Sequence, residues 1–97
     1  MCSIFGIAGH EEASNLTYLG LHALQHRGQE GAGIVSTDGD KPYVHKKKGL
    51  VGDIFDSNTI SKLPGHSAIG HTRYSTTGGN TEENLQPIWM KCSLGWI

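Results

Sequence analysis

The chain has 97 residues, 36% of them hydrophobic and 18% charged, with a formal net charge of −1 and a pI near 6.6. These values allow one small globular domain and exclude a disordered or fibrous segment. They also exclude the strongly basic character, pI above about 9, of a nucleic-acid-binding domain, and no apolar run approaches the roughly 18 residues of a membrane span, so neither nucleic acid nor membrane is expected as a partner.

The opening Met1 to Gly9 has no basic n-region or long apolar stretch, which points to a cytoplasmic protein. Ser3 to Gly9 (SIFGIAG) is a short, glycine-punctuated apolar run suited to a buried strand that begins almost at the N-terminus. Ser14 or Asn15 can then cap a helix whose apolar positions Leu16, Leu19, Ala23 and Leu24 recur at helical spacing. That helix is expected to stop near Arg27-Gly28, with Gly28 as a left-handed terminus.

Gly31 to Thr37 and Pro42 to Lys46 flank Asp38-Gly39-Asp40, the pattern of an antiparallel hairpin. Lys46, Lys47 and Lys48 at its end read as a solvated face. Ser57 to Leu63 suits a short helix closed by Pro64-Gly65, Ser67 to Tyr74 a further strand, and Ser75 to Gln86 a polar loop. Ile88 to Cys92 and Gly95 to Ile97 read as two strands of a second hairpin. The last run ends without turn residues, so a truncated sequence is expected.

Cys2 directly follows the initiator Met1. A small second residue permits removal of that methionine, which leaves a thiol and a free α-amine on one residue. An α-amine with a pKa of about 7.7–8.0 is partly neutral at pH 7 and can serve as the base for its own side chain. Taken alone, Cys2 is a weak signal and reads first as an ordinary N-terminal cysteine. Arg73 stands where an apolar strand gives way to a hydroxyl- and glycine-rich loop, a place where a guanidinium fork can hold an amino-acid carboxylate bidentately. An exposed salt bridge is the plain alternative. Arg27-Gly28 lies in a second polar, glycine-rich turn that, taken alone, reads first as an ordinary helix end.

No metal site is expected. Cys2 and Cys92 make neither a disulfide framework nor a zinc site, and His22 and His26, four apart, lack the Glu of a zinc helix and a third ligand. No glycine-rich loop carries the Lys-Ser/Thr ending of a phosphate cradle.

Four blocks, Met1 to Ile7 (MCSIFGI), Leu24 to Ile34 (LQHRGQEGAGI), Gly70 to Gly78 (GHTRYSTTG) and Asn84 to Pro87 (NLQP), together closely resemble the amidophosphoribosyltransferase family. The resemblance covers essentially the whole chain. Related class II glutamine amidotransferases share the N-terminal Cys and the arginine block, but the sugar-aminating ones carry a YRGYDS-like motif where this chain has His26 to Gly31.

The resemblance implies an α+β fold, the N-terminal nucleophile hydrolase four-layer αββα sandwich of antiparallel sheets, with the nucleophile opening a central strand. Residues 1–97 would be the N-terminal part of a glutaminase domain, with the phosphoribosyltransferase domain absent. It implies glutamine as substrate, with Cys2 as nucleophile and base. Arg73 is implied as the carboxylate grip, with His71, Thr72 and Thr76 as further pocket residues and Arg27 and Gly28 as support of the nucleophile's turn.

Ammonia released from glutamine would pass to phosphoribosyl pyrophosphate in the absent domain, as the first committed step of purine synthesis. No cofactor is expected in this segment. Magnesium is expected in the absent domain, and an iron–sulfur cluster is left open, the lack of a propeptide arguing against it. The full-length protein is expected to be a homo-oligomer. The oxyanion-forming Asn-Gly pair and the ammonium-binding Asp are expected beyond Ile97. Losing one oxyanion donor costs about 10²–10³ in rate, so the segment alone is expected to be inactive.

Overall fold

The first strand, β1 (Ser3–Ala8), alternates half-buried and exposed residues, Phe5 and Ile7 turning inward while Ile4, Gly6 and Ala8 face out. That period belongs to a sheet covered on one face only. The computed structural model describes residues 2–25, 29–74, 85–88, 90–92 and 95–96. After β1 come helix α1 (Ala13–Leu24), strands β2 (Gln29–Thr37) and β3 (Pro42–Lys48), short helices α2 (Val51–Ile54) and α3 (Ser57–Ser61), and strand β4 (Ser67–Tyr74). Two short strands, β5 (Lys91–Cys92) and β6 (Gly95–Trp96), form a hairpin of their own.

The main sheet has the order β1-β4-β2-β3, with every neighbouring pair antiparallel. The expected α+β class with antiparallel sheets is therefore observed. Among the described residues β1 is an edge strand, where the resemblance implies a central one, since no described element pairs with its outer side. Ala32, Ile34 and Ala68 from one sheet face join Ala13 and Leu21 of α1 and Val51, Ile54, Phe55 and Leu63 in a single core.

Helix α1 departs from expectation in three ways. No side chain caps it, Glu12 preceding Ala13, and Ser14 lies inside the helix with its hydroxyl donating to the Leu63 carbonyl. Its buried stripe is Ala13, Ser14, Thr17 and Leu21, while Leu19 and Leu24 are 51% and 37% exposed. The cause is close approach to the sheet. A Cβ on Gly70 would stand 2.6 Å from Thr17 Cγ2 and 2.7 Å from Leu21 Cδ1, and one on Gly20 would enter the Phe5 ring. Small residues, rather than the leucines that set the apolar periodicity, allow that approach. The helix also ends earlier, at Leu24, where Gln25 turns to extended backbone (ψ 142°). The predicted terminator Gly28 lies outside the described residues.

The hairpin at Asp38-Gly39-Asp40 is present. Its turn holds four residues between the paired Thr37 and Pro42; Asp38 Oδ1 accepts the Asp40 and Lys41 N–H groups, and Gly39 supplies the left-handed φ of 96°. α3 carries a capping box, the Asp56 side chain accepting the Thr59 N–H while the Thr59 hydroxyl accepts the Asp56 N–H.

Helix α2 was not predicted, because four residues carry no readable period. It depends on a distant side chain, since buried Gln29 donates to the carbonyls of Gly31 (2.8 Å) and Gly49 (2.7 Å) and accepts the Val51 N–H. The second hairpin is shorter than expected, its first strand beginning at Lys91 and not at Ile88. Among the described residues no helix is long and apolar enough to cross a membrane.

Two glycines on neighbouring strands make the packing testable. Gly70→Ala should destabilise by about 1–3 kcal/mol through overpacking against α1. Gly6→Ala should change stability by no more than about 0.5 kcal/mol, because its Cβ meets nothing nearer than 3.8 Å. Urea unfolding of both variants checks the difference.

Candidate active site

Strand β4 carries three of the singled-out residues, His71, Thr72 and Arg73, and its pairing with β1 determines where they stand relative to the N-terminus. Ile4 stands opposite His71 and Ser3 opposite Thr72. Carried one residue further, the same register sets Cys2 across from Arg73. Opposed residues of an antiparallel pair share a face. Ile4, His71 and Arg73 therefore lie on the face that α1 leaves open, and Cys2, alternating with Ser3, belongs to the same face. Cys2 is exposed and its thiol is free.

On the other side of β4, Gly31 of β2 pairs with Arg73 and Gly33 with His71. The register shifts between Gln29 and Gly31, so a bulge at Glu30 lies directly against Arg73 and Tyr74. Bare backbone at positions 31 and 33 lets residues 85–88 lie across the open face. A Cβ on Gly31 would stand 2.6 Å from Leu85 Cδ2, and one on Gly33 would meet the Gln86 carbonyl oxygen. Lys46 Nζ secures the crossing by donating to the Leu85 carbonyl at 2.9 Å. Lys46 is thus half-buried and engaged, unlike the exposed Lys47 and Lys48, which match the solvated face expected of the whole run.

Between this crossing and the sheet is a cavity of about 270 Å³, lined by Ile4, Ile69 and His71 on one side and Gln86, Pro87 and Ile88 on the other. His71 is 6% exposed. Its Nδ1 has no hydrogen-bond partner among the described residues. Burial, and then the positive charge of Arg73, push the imidazole below its ordinary pKa, which keeps the ring neutral near pH 7.

The structure thus places His71 and Arg73 on one face of β4, with exposed Cys2 one residue beyond the rung of Ser3 and Thr72 at the same end of the sheet. Thr72 points to the opposite, helix-covered face, fully buried, its hydroxyl sharing a hydrogen bond with that of Ser3. Thr76, Arg27 and Gly28 lie outside the described residues. Three contributors went unforeseen: Gln29, Lys46 and the 85–88 crossing. The alternating Gly31 and Gly33 were the signal for the crossing, since glycines two apart on a strand bare one face of it.

No protein-family model matches the chain. It is 59% identical over 90 residues to an amidophosphoribosyltransferase of Bacillus subtilis, a match that covers 93% of this chain and 19% of that protein. Among solved structures it is similar to the glutamine phosphoribosylpyrophosphate amidotransferase of B. subtilis in complex with ADP and GMP, with 50% identity, a TM-score of 0.81, and 96% of this chain and 19% of that one covered. It is also similar to a structure described as the allosteric regulatory enzyme of purine biosynthesis, with 54% identity, a TM-score of 0.85, and 96% and 20% covered. The chain spans about a fifth of the length of the relatives it matches.

The state of His71 has a measurable consequence. Its folded pKa lies below the ordinary 6.5, so under acid the unfolded chain binds a proton that the folded one refuses. Stability is then fully present above about pH 6.5 and is lost as pH falls through the lowered value. An NMR titration should place the His71 midpoint below 6.5, and Arg73→Gln should move it part of the way back.

Proposed function

Because the chain matches the amidophosphoribosyltransferase family along nearly its whole length, we propose that it supplies the glutamine-cleaving half-reaction of such an enzyme. The observation that carries this reading is the exposed Cys2 one residue before β1, whose final rung, Ser3 opposite Thr72, is next to Arg73 in β4. With Met1 removed, the α-amine of Cys2 takes the thiol proton, and the thiolate attacks the side-chain amide carbon of glutamine. Ammonia leaves as the carbon–nitrogen bond breaks, and water then hydrolyses the glutamyl thioester to glutamate.

Arg73 grips the substrate α-carboxylate with its fork. Neutral His71 walls the pocket without adding a second positive charge that would compete for the same anion. Thr76, which follows β4 in the chain, and Arg27 with Gly28, which precede β2, complete the pocket and the setting of Cys2.

In the whole enzyme the ammonia displaces pyrophosphate from phosphoribosyl pyrophosphate to give phosphoribosylamine for purine synthesis. The setting is the cytoplasm, and the full-length protein acts as a homo-oligomer. For the fold we propose the four-layer αββα sandwich of N-terminal nucleophile hydrolases. The open face bearing Ile4 and Ile69, 69% and 55% exposed, supports it, since in that architecture the face packs against a second sheet.

Two variants of the full-length protein test the scheme. Cys2→Ser should lower glutamine-dependent product formation by about 10³-fold or more while sparing synthesis from free ammonia, since only the thiol step is lost. If both activities fall together, the two-site scheme fails. Arg73→Lys should raise the glutamine KM by about 10- to 100-fold, because one ammonium replaces two charge-assisted hydrogen bonds. An unchanged KM rules out the carboxylate role.

A further inference from the structure

The nucleophile proposed above stands one residue outside the last paired position of β1, where a chain end frays unless something ties it down. The final rung of the ladder is Ser3 opposite Thr72, and beyond their backbone pairing the two side-chain hydroxyls share a hydrogen bond. This bond links residues 69 apart in sequence. Thr72 is fully buried, so its hydroxyl has no water to turn to, and Ser3 is its recorded partner.

We propose that Ser3 and Thr72 form a hydroxyl latch that positions Cys2, Thr72 acting through Ser3 and not by touching substrate. The inference rests on the glutaminase reading. Its logic is strand alternation: a Ser3 side chain held on the helix-covered face obliges the side chain of residue 2 to project to the other face, where His71 and Arg73 lie. Released, Ser3 is free to rotate, and the thiol and α-amine lose their bearing on a substrate held by Arg73. Positioning of this kind acts on the chemical step more than on binding, because the carboxylate grip is left intact.

The test compares Thr72→Val, Ser3→Ala, the double variant and Thr72→Ser in the full-length protein, with kcat and KM for glutamine hydrolysis read beside the melting temperature. Val keeps the β-branched shape and loses only the hydroxyl. Each single variant should lower kcat about 10-fold with KM within about twofold, since small displacements of reacting groups cost up to about 10²-fold. The double variant should be no worse than the poorer single, because the latch is already open in either, and Thr72→Ser should restore kcat to within about twofold.

An unchanged kcat in both Thr72→Val and Ser3→Ala overturns the latch. So does a loss that multiplies in the double variant, or one that appears as a raised KM and a lowered melting temperature with kcat untouched. Cys2→Ser serves as the reference: if it still hydrolyses glutamine, the glutaminase reading itself fails, whereas its inactivity beside fully active Thr72→Val and Ser3→Ala defeats the latch alone.

Discussion

The antiparallel pairing of β1 with β4 is the constraint on which the rest depends. These strands are separated by about sixty residues of chain, yet their register brings the N-terminus and the end of β4 to one corner of the sheet. Side chains on a strand alternate between faces, so a slip of β1 by a single residue would send Ile4 to the helix side and bring Ser3 into the open, parting them from His71 and Thr72. Burial of the polar Thr72 against Ser3, and of Ala68 and Gly70 against α1, opposes that slip. The register is thus held by packing on the face away from the site.

The two faces of this sheet are unlike in a way that suits the division of labour. One is tightly covered, with glycine at position 70 so that Thr17 and Leu21 can come close. The other carries exposed Ile4 and Ile69 beside the buried imidazole of His71, and, among the described residues, those at 85–88 are laid over it. Buried Gln29 joins three elements at the point where β2 bulges toward Arg73.

Much of this was legible in the sequence. Strand β4 was read at its observed bounds and the Asp38-Gly39 hairpin at its observed place, because alternation and turn residues are local signals. The motif blocks carried the family through residue identity, which no periodicity supplies. What the sequence concealed depended on distant partners. The buried stripe of α1 is set by glycine on β4, so the leucine period misled, and Ser14 binds Leu63 instead of its own helix end. Helix α2 exists because Gln29 reaches it, and Lys46 is drawn from solvent by the Leu85 carbonyl, thirty-nine positions away. That Thr72 faces away from His71 and Arg73 follows from alternation alone, but only once the register is known.

The lane left by Gly31 and Gly33 makes tolerance of change lopsided between the sheet and the segment that crosses it. Beneath Leu85 and Gln86 the sheet offers peptide backbone, and any substituent at Gly31 or Gly33 lifts the overlying segment before it adds a contact. On the other side Gln86 and Ile88 are exposed, and the height of the crossing is fixed by main-chain atoms and the lysine that holds them. Sequence drift can therefore reshape the outward side chains of the crossing while the glycine lane beneath it stays frozen.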